Sequence, residues 1–280
     1  MTGSINGIDA FRYDDKRVLV VGGATGMGAA AAQTVAALGA QVVVMDHAPV
    51  EFPVAEAIKV DLRDQAAIDQ AVDQVAGPVH AVFAAAGVAD GTPGIMKINF
   101  ISHRHIIERL IASGTLSRGA AVCLISSVAG LGWEANIPLL LEFLATPDYQ
   151  SAAAWIDAHP GTDGYGFSKQ AMNCYVAYQA YPFLTQGIRI NAICPGPTDT
   201  PLARANADTW LSFAQDYRDA TGTPHLVPEQ MGNVMVFLNS DAANGISGVN
   251  LLVDSGHVMS SLTGSWAAGQ PLINMILGRS

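Results

Sequence analysis

The sequence is poor in cysteine, and its three cysteines, Cys123, Cys174 and Cys194, form no recognisable set. Their number is odd, and they are not spaced as the ligands of a structural metal site are. A free cysteine behaves as a small hydrophobic residue and is usually buried. We therefore predict three reduced cysteines in the core of a cytoplasmic protein, and no bound metal.

Positive charge is also scarce. Fourteen lysines and arginines stand against 24 aspartates and glutamates, so the formal net charge is −10 at pH 7. This balance argues against nucleic acid or an anionic membrane surface as a partner. No uninterrupted apolar run reaches the roughly 18 residues of a membrane span. The first six residues lack the charged-then-apolar pattern of a secretion signal, so we expect no targeting segment.

Hydrophobic residues make up half of the 280-residue chain, enough for one large domain around a buried sheet. Runs without polar alternation, such as Val18-Leu19-Val20-Val21, are typical of parallel strands buried on both faces. Helical stretches separate these runs, and the β-α alternation predicts a doubly wound parallel sheet, the Rossmann fold, in one α/β domain over 1–280. The predicted strands are 18–21, 41–46, 80–85, 121–126, 188–193 and 248–253, and the predicted helices are 29–38, 65–75, 98–111 and 165–184.

Two segments look like additions to this plan. The first is a helical insertion over 134–164, with one helix over 138–144 and a second that Thr146 caps and Pro147 begins. The second is the apolar tail over 257–280. Because exposed apolar surface needs a cover, we expect the tail to lie over the protein's own pocket or over a neighbouring subunit.

A glycine-rich loop, Gly22-x-x-x-Gly26-x-Gly28, follows the first strand and opens a helix. Gly22 permits a tight turn, and Gly26 lets the backbone approach a pyrophosphate at the helix N-terminus. Gly28 allows the helix to pack closely on the strand. The loop therefore predicts a dinucleotide cofactor.

Asp46 ends the second predicted strand, where a carboxylate accepts hydrogen bonds from an adenosine ribose and repels a 2′-phosphate. No lysine or arginine follows within the next six residues. We therefore predict NAD rather than NADP as the cofactor. Asp61 and Leu62, at the end of the next strand, are candidates for bracketing the adenine.

Tyr165 and Lys169 stand four residues apart on a predicted helix, so both side chains share one face. An ordinary phenol has a pKa of about 10, and a lysine cation held nearby should lower that pKa. A phenolate can take the proton of an alcohol while nicotinamide takes the hydride. Ser127 can hold the substrate oxygen, unless it only forms a turn, and Asn99 can bind a water of a proton relay, unless it is a satisfied core amide.

These motifs resemble those of the short-chain dehydrogenase/reductase family in its single-domain form, over nearly all of residues 14–256. The resemblance implies a catalytic tetrad of Asn99, Ser127, Tyr165 and Lys169. With the residues above, it gives the following cofactor-binding set: Gly22, Thr25, Gly26, Met27, Gly28, Asp46, Asp61, Leu62, Ala85, Ala86, Gly87, Tyr165, Lys169, Pro195, Gly196, Thr198 and Thr200.

The sequence departs from the family pattern at three places. Val21 stands where the family usually has threonine, and Ala84-Ala85 replaces an Asn-Asn pair whose side chains steady the central strand. Ser127 and Tyr165 are 38 residues apart, farther than is common, because the insertion separates them. Such an insertion, with the run 198–202 (Thr-Asp-Thr-Pro-Leu), resembles the bacterial 3α-hydroxysteroid dehydrogenase/carbonyl reductase branch.

The sequence thus predicts an NAD-dependent oxidoreductase that interconverts a secondary alcohol and a ketone. Two alternatives stay open: a nucleotide-sugar epimerase or dehydratase on the same fold, and a non-catalytic dinucleotide-sensing protein. We expect an apolar, cyclic substrate such as a hydroxysteroid or a terpenoid, because the expected pocket segments carry few cations. The apolar residues of those segments are Leu139, Leu140, Phe143, Trp155, Leu202, Trp210, Phe213 and Tyr217.

The resemblance also implies a homodimer or homotetramer with closed symmetry, since the family's long helices around Asn99 and Tyr165 commonly pack against those of a neighbour. The insertion could block or replace that pairing. Its ends are pinned between Ser127 and Tyr165, so we expect it beside the active-site mouth or at a subunit contact.

Overall fold

A computed structural model of the chain describes residues 7–278. Seven parallel strands form one sheet in the order β3-β2-β1-β4-β5-β6-β7. The strand order reverses between β1 and β4, which is where ligands bind in such sheets. The strands are β1 (Arg17–Val21), β2 (Gln41–Asp46), β3 (Glu56–Lys59), β4 (Val79–Ala84), β5 (Leu116–Ile125), β6 (Arg189–Pro195) and β7 (Asn250–Val253).

Helices cover both faces of the sheet, so the predicted doubly wound α/β fold is confirmed. A π-helical turn over Lys97–Ile101 leads directly into α3. The α-helices are α1 (Gly26–Ala37), α2 (Gln65–Gln74), α3 (Ser102–Ala112), α4 (Ile137–Leu144), α5 (Tyr149–Ala158), α6 (Tyr165–Thr185), α7 (Pro201–Arg204), α8 (Ala207–Trp210), α9 (Gln215–Thr221), α10 (Pro228–Asn239), α11 (His257–Leu262) and α12 (Gln270–Ile276).

Successive residues of the central strands contribute to two separate cores. In β1, Leu19 packs in the core that contains α3 and α6, whereas Val20 packs in the core that contains α1 and α10. Both faces are therefore buried, which explains why the strands show no polar alternation. On the second face α1 and α10 come very close, since a Cβ atom at Gly232 would lie 2.9 Å from the backbone of Ala30.

The insertion contains the two expected helices, but the predicted start of the second helix is wrong. α5 begins at Tyr149, and its cap is Asp148, whose carboxylate accepts a hydrogen bond of 2.7 Å from the Ser151 amide. The Thr146 hydroxyl instead donates to the Phe143 carbonyl at the end of α4. A carboxylate forms a strong cap because it also meets the positive end of the helix dipole.

The insertion packs against the protein's own helices. The Phe143 ring of α4 lies 5.6 Å from the Phe100 ring and 5.8 Å from the Phe167 ring, centroid to centroid. From α5, the buried Tyr149 donates its hydroxyl proton to the Leu62 carbonyl at 2.9 Å. The insertion therefore covers the outer side of α6 and of the π-helical turn.

The tail folds back over the segment that joins β5 to the insertion. Val258 of α11 and Ile273 of α12 are buried against Val128. A Cβ atom at Gly132 would lie 2.4 Å from the Ile276 carbonyl oxygen, so the two segments touch through backbone. Within 7–278, no helix has the length and apolar character needed to cross a membrane. Residues 1–6, which carry the expectation about a targeting segment, and the last two residues of the tail lie outside the described part of the chain.

Replacing Phe143 with alanine should destabilise the protein without changing its substrate affinity. The Phe143 side chain is fully buried, and a Phe→Ala change in a core costs about 3–5 kcal/mol of unfolding free energy. Urea unfolding measures the loss, and Leu139→Ala on the exposed side of the same helix is the control. A raised substrate KM at normal stability would contradict the packing role.

Candidate active site

Two joined cavities lie along the carboxyl ends of the strands. One, of about 660 Å³, is lined by the glycine-rich loop and the ends of β2 and β3, and we call it the glycine-loop cavity. The other, of about 410 Å³, contains Tyr165 and is called the tyrosine cavity. Residues that line both are Met27, Ala85, Gly87, Thr200 and Leu202. The cavities therefore form one cleft at the predicted edge of the sheet.

The glycine-rich loop fits a dinucleotide phosphate. Gly22 has a φ of +80°, and a Cβ atom there would lie 2.3 Å from the Ala86 nitrogen. A Cβ at Gly28 would lie 2.0 Å from the Gly22 carbonyl oxygen, so α1 packs directly on the loop. At Gly26 (φ +58°) the nearest atom to a Cβ would be 3.7 Å away. The loop is thus closed toward the protein and open toward the cavity, where the N-terminus of α1 attracts an anion.

Asp46 ends β2 at the far end of the glycine-loop cavity. Its two carboxylate oxygens accept hydrogen bonds of 2.9 Å from the amides of Ala24 and Ala48. These bonds fix the carboxylate. The Nδ1 atom of the exposed His47 lies 3.1 Å from Oδ1, and Oδ2 retains a lone pair for a further donor. Asp61 lines the same cavity, but the Arg63 guanidinium holds it in a bidentate pair and lowers its pKa to about 2.

Cations near Asp46 were missed by the sequence reasoning, which considered only the residues that follow β2. In the sheet, Lys59 of β3 is the register partner of Asp46, and it lines the cavity as an exposed side chain. Arg63 lines the cavity too. The parallel pairing of β2 with β3 is the signal that could have placed Lys59 there.

Ser127, Tyr165 and Lys169 line the tyrosine cavity together. Ser127 follows β5, and its hydroxyl accepts a hydrogen bond of 3.1 Å from the Ala129 amide. Tyr165 and Lys169 occupy the first turns of α6. The buried Lys169 ammonium donates to the Ile125 carbonyl at 2.7 Å and lies 5.4 Å from the centre of the Tyr165 ring.

Burial moves both titratable groups of the tyrosine cavity toward their uncharged forms. It raises the pKa of Tyr165 to about 12, against the opposing effect of the nearby Ser127 hydroxyl, which favours the phenolate. It lowers the pKa of Lys169 to about 8. The predicted lowering of the Tyr165 pKa by Lys169 is not found in this structure, because burial of the phenol dominates and Lys169 is not among the groups that shift this pKa.

Asn99 lies behind the cavity wall rather than in it. Its side chain is fully buried in the π-helical turn, where its oxygen accepts from the Val88 amide at 2.8 Å. Its nitrogen donates to the Val88 carbonyl at 3.0 Å and to the Ser168 hydroxyl at 3.2 Å. Both donor hydrogens are thus used inside the protein. Gly87 separates this amide from the cavity, since a Cβ there would lie 3.7 Å from the Asn99 oxygen and 3.9 Å from the Lys169 nitrogen.

Every residue predicted to bind the cofactor lines the cleft. The residues that end or follow β1 to β4 line the glycine-loop cavity. They are Gly22, Thr25, Gly26, Met27, Gly28, Asp46, Asp61, Leu62, Ala85, Ala86 and Gly87. Those of the tyrosine cavity include Tyr165, Lys169, Pro195, Gly196 and Thr198, and Thr200 lines both. The two threonine hydroxyls bond internally, to the Gly196 carbonyl and the Ala203 amide.

The outer wall of the tyrosine cavity is apolar. Trp210 packs over Tyr165 with ring centroids 4.9 Å apart, and Lys169 is the one charged side chain among the described residues that line this cavity. Leu202, Trp210 and Phe213 line it as predicted, and so does Ile276 of the tail, which was expected over the pocket or over a neighbouring subunit. Leu131 also lines it, and the sequence did not point to that residue. The expectation was wrong for Leu139, Leu140, Phe143, Trp155 and Tyr217, which are absent from the lining.

The excluded residues have other partners. Phe143 and Trp155 stack within the insertion, 5.1 Å apart, and Tyr217 packs on His257 and Trp266 of the tail. The apolar pattern of the insertion therefore reflects its packing on α6. The tail does reach the cavity, through Ile276.

The sequence matches the models of two protein families. The family model described as enoyl-(acyl carrier protein) reductase matches residues 150–258, and that of the NAD dependent epimerase/dehydratase family matches residues 18–192. The second of these matches covers more than half of the chain. With the dehydrogenase relatives described next, these matches show that the chain belongs to the short-chain dehydrogenase/reductase family.

Several relatives extend over nearly the whole chain. A coniferyl-alcohol dehydrogenase of Pseudomonas sp. (strain HR199) is 25% identical over 249 residues, 86% of this chain and 96% of that protein. The 3-alpha-hydroxysteroid dehydrogenase/carbonyl reductase of Comamonas testosteroni is 28% identical over 256 residues, 85% and 95% of the two chains. The crystal structure of the 3-alpha-hydroxysteroid dehydrogenase from Pseudomonas sp. B-0831 complexed with NADH superposes with a TM-score of 0.70, at 22% identity over 89% and 99% of the chains. This structure supports the fold.

Proposed function

We propose that this protein is an NAD-dependent dehydrogenase that interconverts a secondary alcohol and a ketone. The observation that carries the proposal is the meeting of Ser127, Tyr165 and Lys169 in one apolar cavity that opens into the glycine-loop cavity. A phenol, a hydroxyl and an ammonium around one point suit proton transfer at an alcohol oxygen. Asn99 is the fourth member of the proposed catalytic tetrad, although it is buried and does not line the cavity.

In this proposal the bound cofactor supplies the hydride acceptor and a positive nicotinamide ring. The Tyr165 oxygen takes the alcohol proton during oxidation and returns it to the ketone oxygen during reduction. The Ser127 hydroxyl donates to the substrate oxygen and holds it against the phenol. Lys169 is the proposed partner of the nicotinamide ribose, and Asn99 keeps Val88 and the start of α6 in register with the cleft.

We further propose an apolar, cyclic substrate such as a hydroxysteroid or a terpenoid. Apolar side chains, among them the aromatic Trp210 and Phe213, line the tyrosine cavity. Lys169 supplies the single charge of the described lining. A cavity of about 410 Å³ lies within the range of sites for compact organic ligands. The relatives named for coniferyl alcohol and for hydroxysteroids support an alcohol as the substrate.

The epimerase or dehydratase alternative has one observation in its favour, the family match over 18–192. That match ends in β6, before the segment with Leu202, Trp210 and Phe213 that walls the tyrosine cavity. A spectrophotometric screen of NADH formation with cyclic alcohols, steroids and sugar nucleotides decides. A dehydrogenase accumulates NADH with an alcohol, an epimerase converts a sugar nucleotide without net NADH, and a sensor binds the cofactor without turnover.

Replacing Tyr165 with phenylalanine should reduce turnover by about 10²–10⁴-fold, because only the proton-transferring oxygen is removed. Binding of NADH, measured by fluorescence titration, should persist, since the ring still packs on Trp210. Initial rates of NADH formation measure the loss. Near-normal rates in this variant would refute the assigned role.

Alcohol oxidation should accelerate from neutral to alkaline pH, whereas ketone reduction should slow. Oxidation needs the phenolate of Tyr165, whose pKa burial raises to about 12, and reduction needs the protonated phenol. The positive nicotinamide ring of bound NAD should lower the pKa of Tyr165, so that the rise in oxidation rate occurs at a lower pH. Profiles of kcat/KM against pH in both directions test this. Oxidation that slows with rising pH while the protein stays folded would contradict it.

Replacing Asp46 with alanine should weaken NAD binding and relax discrimination against NADP. The change removes the acceptor for the ribose hydroxyls and the repulsion of a 2′-phosphate, and it leaves Lys59 alongside to attract that phosphate. Asp46→Asn, which removes the charge and keeps an acceptor, separates the two effects. The kcat/KM values for NAD and NADP give the result. A wild-type enzyme that uses both cofactors equally would show that Asp46 is not the selector.

We also propose a cytoplasmic homodimer or homotetramer. The three cysteines are buried and unpaired, which suits a reducing compartment. Exposed apolar side chains cluster where β7 meets α6, at Val249, Leu251, Tyr178 and Tyr181, and a Cβ at Gly248 would touch the Ala180 side chain between them. Such a patch at a sheet edge favours self-association.

Light scattering at micromolar concentration should give a mass of two or four chains, and Leu251→Lys should lower it by placing a charge in the buried contact. Glu51→Lys, at an exposed site in the loop before β3 at the opposite edge of the sheet, is the control. A stable wild-type monomer would refute the oligomer.

A further inference from the structure

His103 is a buried imidazole for which the proposed reaction has no use. It lies on α3, one helical turn after Asn99, and is 1% exposed. Its Nε2 atom is 2.9 Å from the Ala86 carbonyl oxygen. A carbonyl only accepts hydrogen bonds, so Nε2 carries the proton. Burial, with the charge of Lys169, lowers the pKa of His103 to about 4, and the ring is neutral.

The second ring nitrogen makes this histidine a poor choice for packing alone. With the proton on Nε2, Nδ1 is an acceptor, and it is buried without a hydrogen-bond partner in the described structure. An unpaired buried acceptor lowers stability. An apolar side chain of similar size would avoid that cost, so the histidine is better explained by what Nε2 holds.

The Ala86 carbonyl belongs to the segment that joins the two cavities. Ala86 lines the glycine-loop cavity, and its backbone lies against Gly22, where a Cβ would be 2.3 Å from the Ala86 nitrogen. Gly87, the next residue, lines both cavities. Two side chains from adjacent helical turns thus fix this segment: Asn99 holds both backbone groups of Val88, and His103 holds the Ala86 carbonyl.

We propose that His103 is a positioning residue that holds residues 86–88 against the glycine-rich loop for dinucleotide binding. Ala84 and Ala85 carry no polar side-chain atoms, so the side-chain hydrogen bonds that hold this segment come from Asn99 and His103. The inference rests on the proposed function, because it assigns the cleft to a dinucleotide.

A matched pair of variants tests the hydrogen bond. His103→Gln keeps a nitrogen donor at the reach of Nε2, whereas His103→Met has similar length and no donor. NADH affinity by fluorescence titration should fall about fivefold in His103→Met, the effect of one hydrogen bond, and stay within about twofold of wild type in His103→Gln. His105→Met is the control, since His105 on the same helix bonds to Asp69, which is absent from the lining of both cavities.

Equal NADH affinity in His103→Met and wild type would overturn the inference, as would an equal loss in His103→Gln and His103→Met. Thermal unfolding of all variants separates lost binding from lost folding. If His103→Met does not fold, nitrogen NMR of labelled histidine in the wild-type protein still decides, because the proposal requires the Nε2-protonated tautomer and the Nδ1-protonated form contradicts it. Wild-type protein that binds no NADH would instead refute the proposed function itself.

Discussion

The cleft depends on one close contact between backbone segments, that of Gly22 with Ala86 at the point where the strand order reverses. The Ala85 amide donates to the Val21 carbonyl at 2.8 Å, so the chain segments after β1 and β4 stay together beyond the sheet. A side chain at position 22 would push them apart. Because they touch, the glycine-loop cavity and the tyrosine cavity meet at this contact, and a dinucleotide can span both.

The sheet and the position of the cleft at its carboxyl edge could be predicted, because both follow from short-range sequence patterns. Buried β-branched runs mark the strands, and parallel pairing brings the ends of β1, β2 and β4 to one edge, whatever the details of the loops. The same reasoning placed Tyr165 and Ser127 in one cavity although 38 residues separate them. It failed for Lys59, whose neighbour Asp46 lies on another strand, since a search along the chain does not see a cross-strand pair.

The helices of the insertion show a second limit. An apolar helical face shows that this face is buried, but it does not identify the element or ligand that packs against it. Phe143 and Trp155 have the composition of a substrate pocket, yet they pack on each other and on α6. The apolar tail gave the same kind of signal, and there Ile276 does reach the tyrosine cavity. Which of two apolar segments meets the ligand is decided by long-range packing, and composition alone does not contain it.

The tyrosine cavity, as folded, favours the uncharged form of the Tyr165 phenol, whereas Lys169 stays largely protonated at neutral pH. The pKa of Tyr165 rises and that of Lys169 falls, both mainly through burial. If the cleft binds NAD as proposed, this protein form is prepared for reduction, because a protonated phenol donates to a ketone oxygen. The positive ring of oxidised cofactor adds a charge next to the phenol and pulls it toward phenolate. The redox state of the cofactor then selects the protonation state of Tyr165, and the same residues serve both directions.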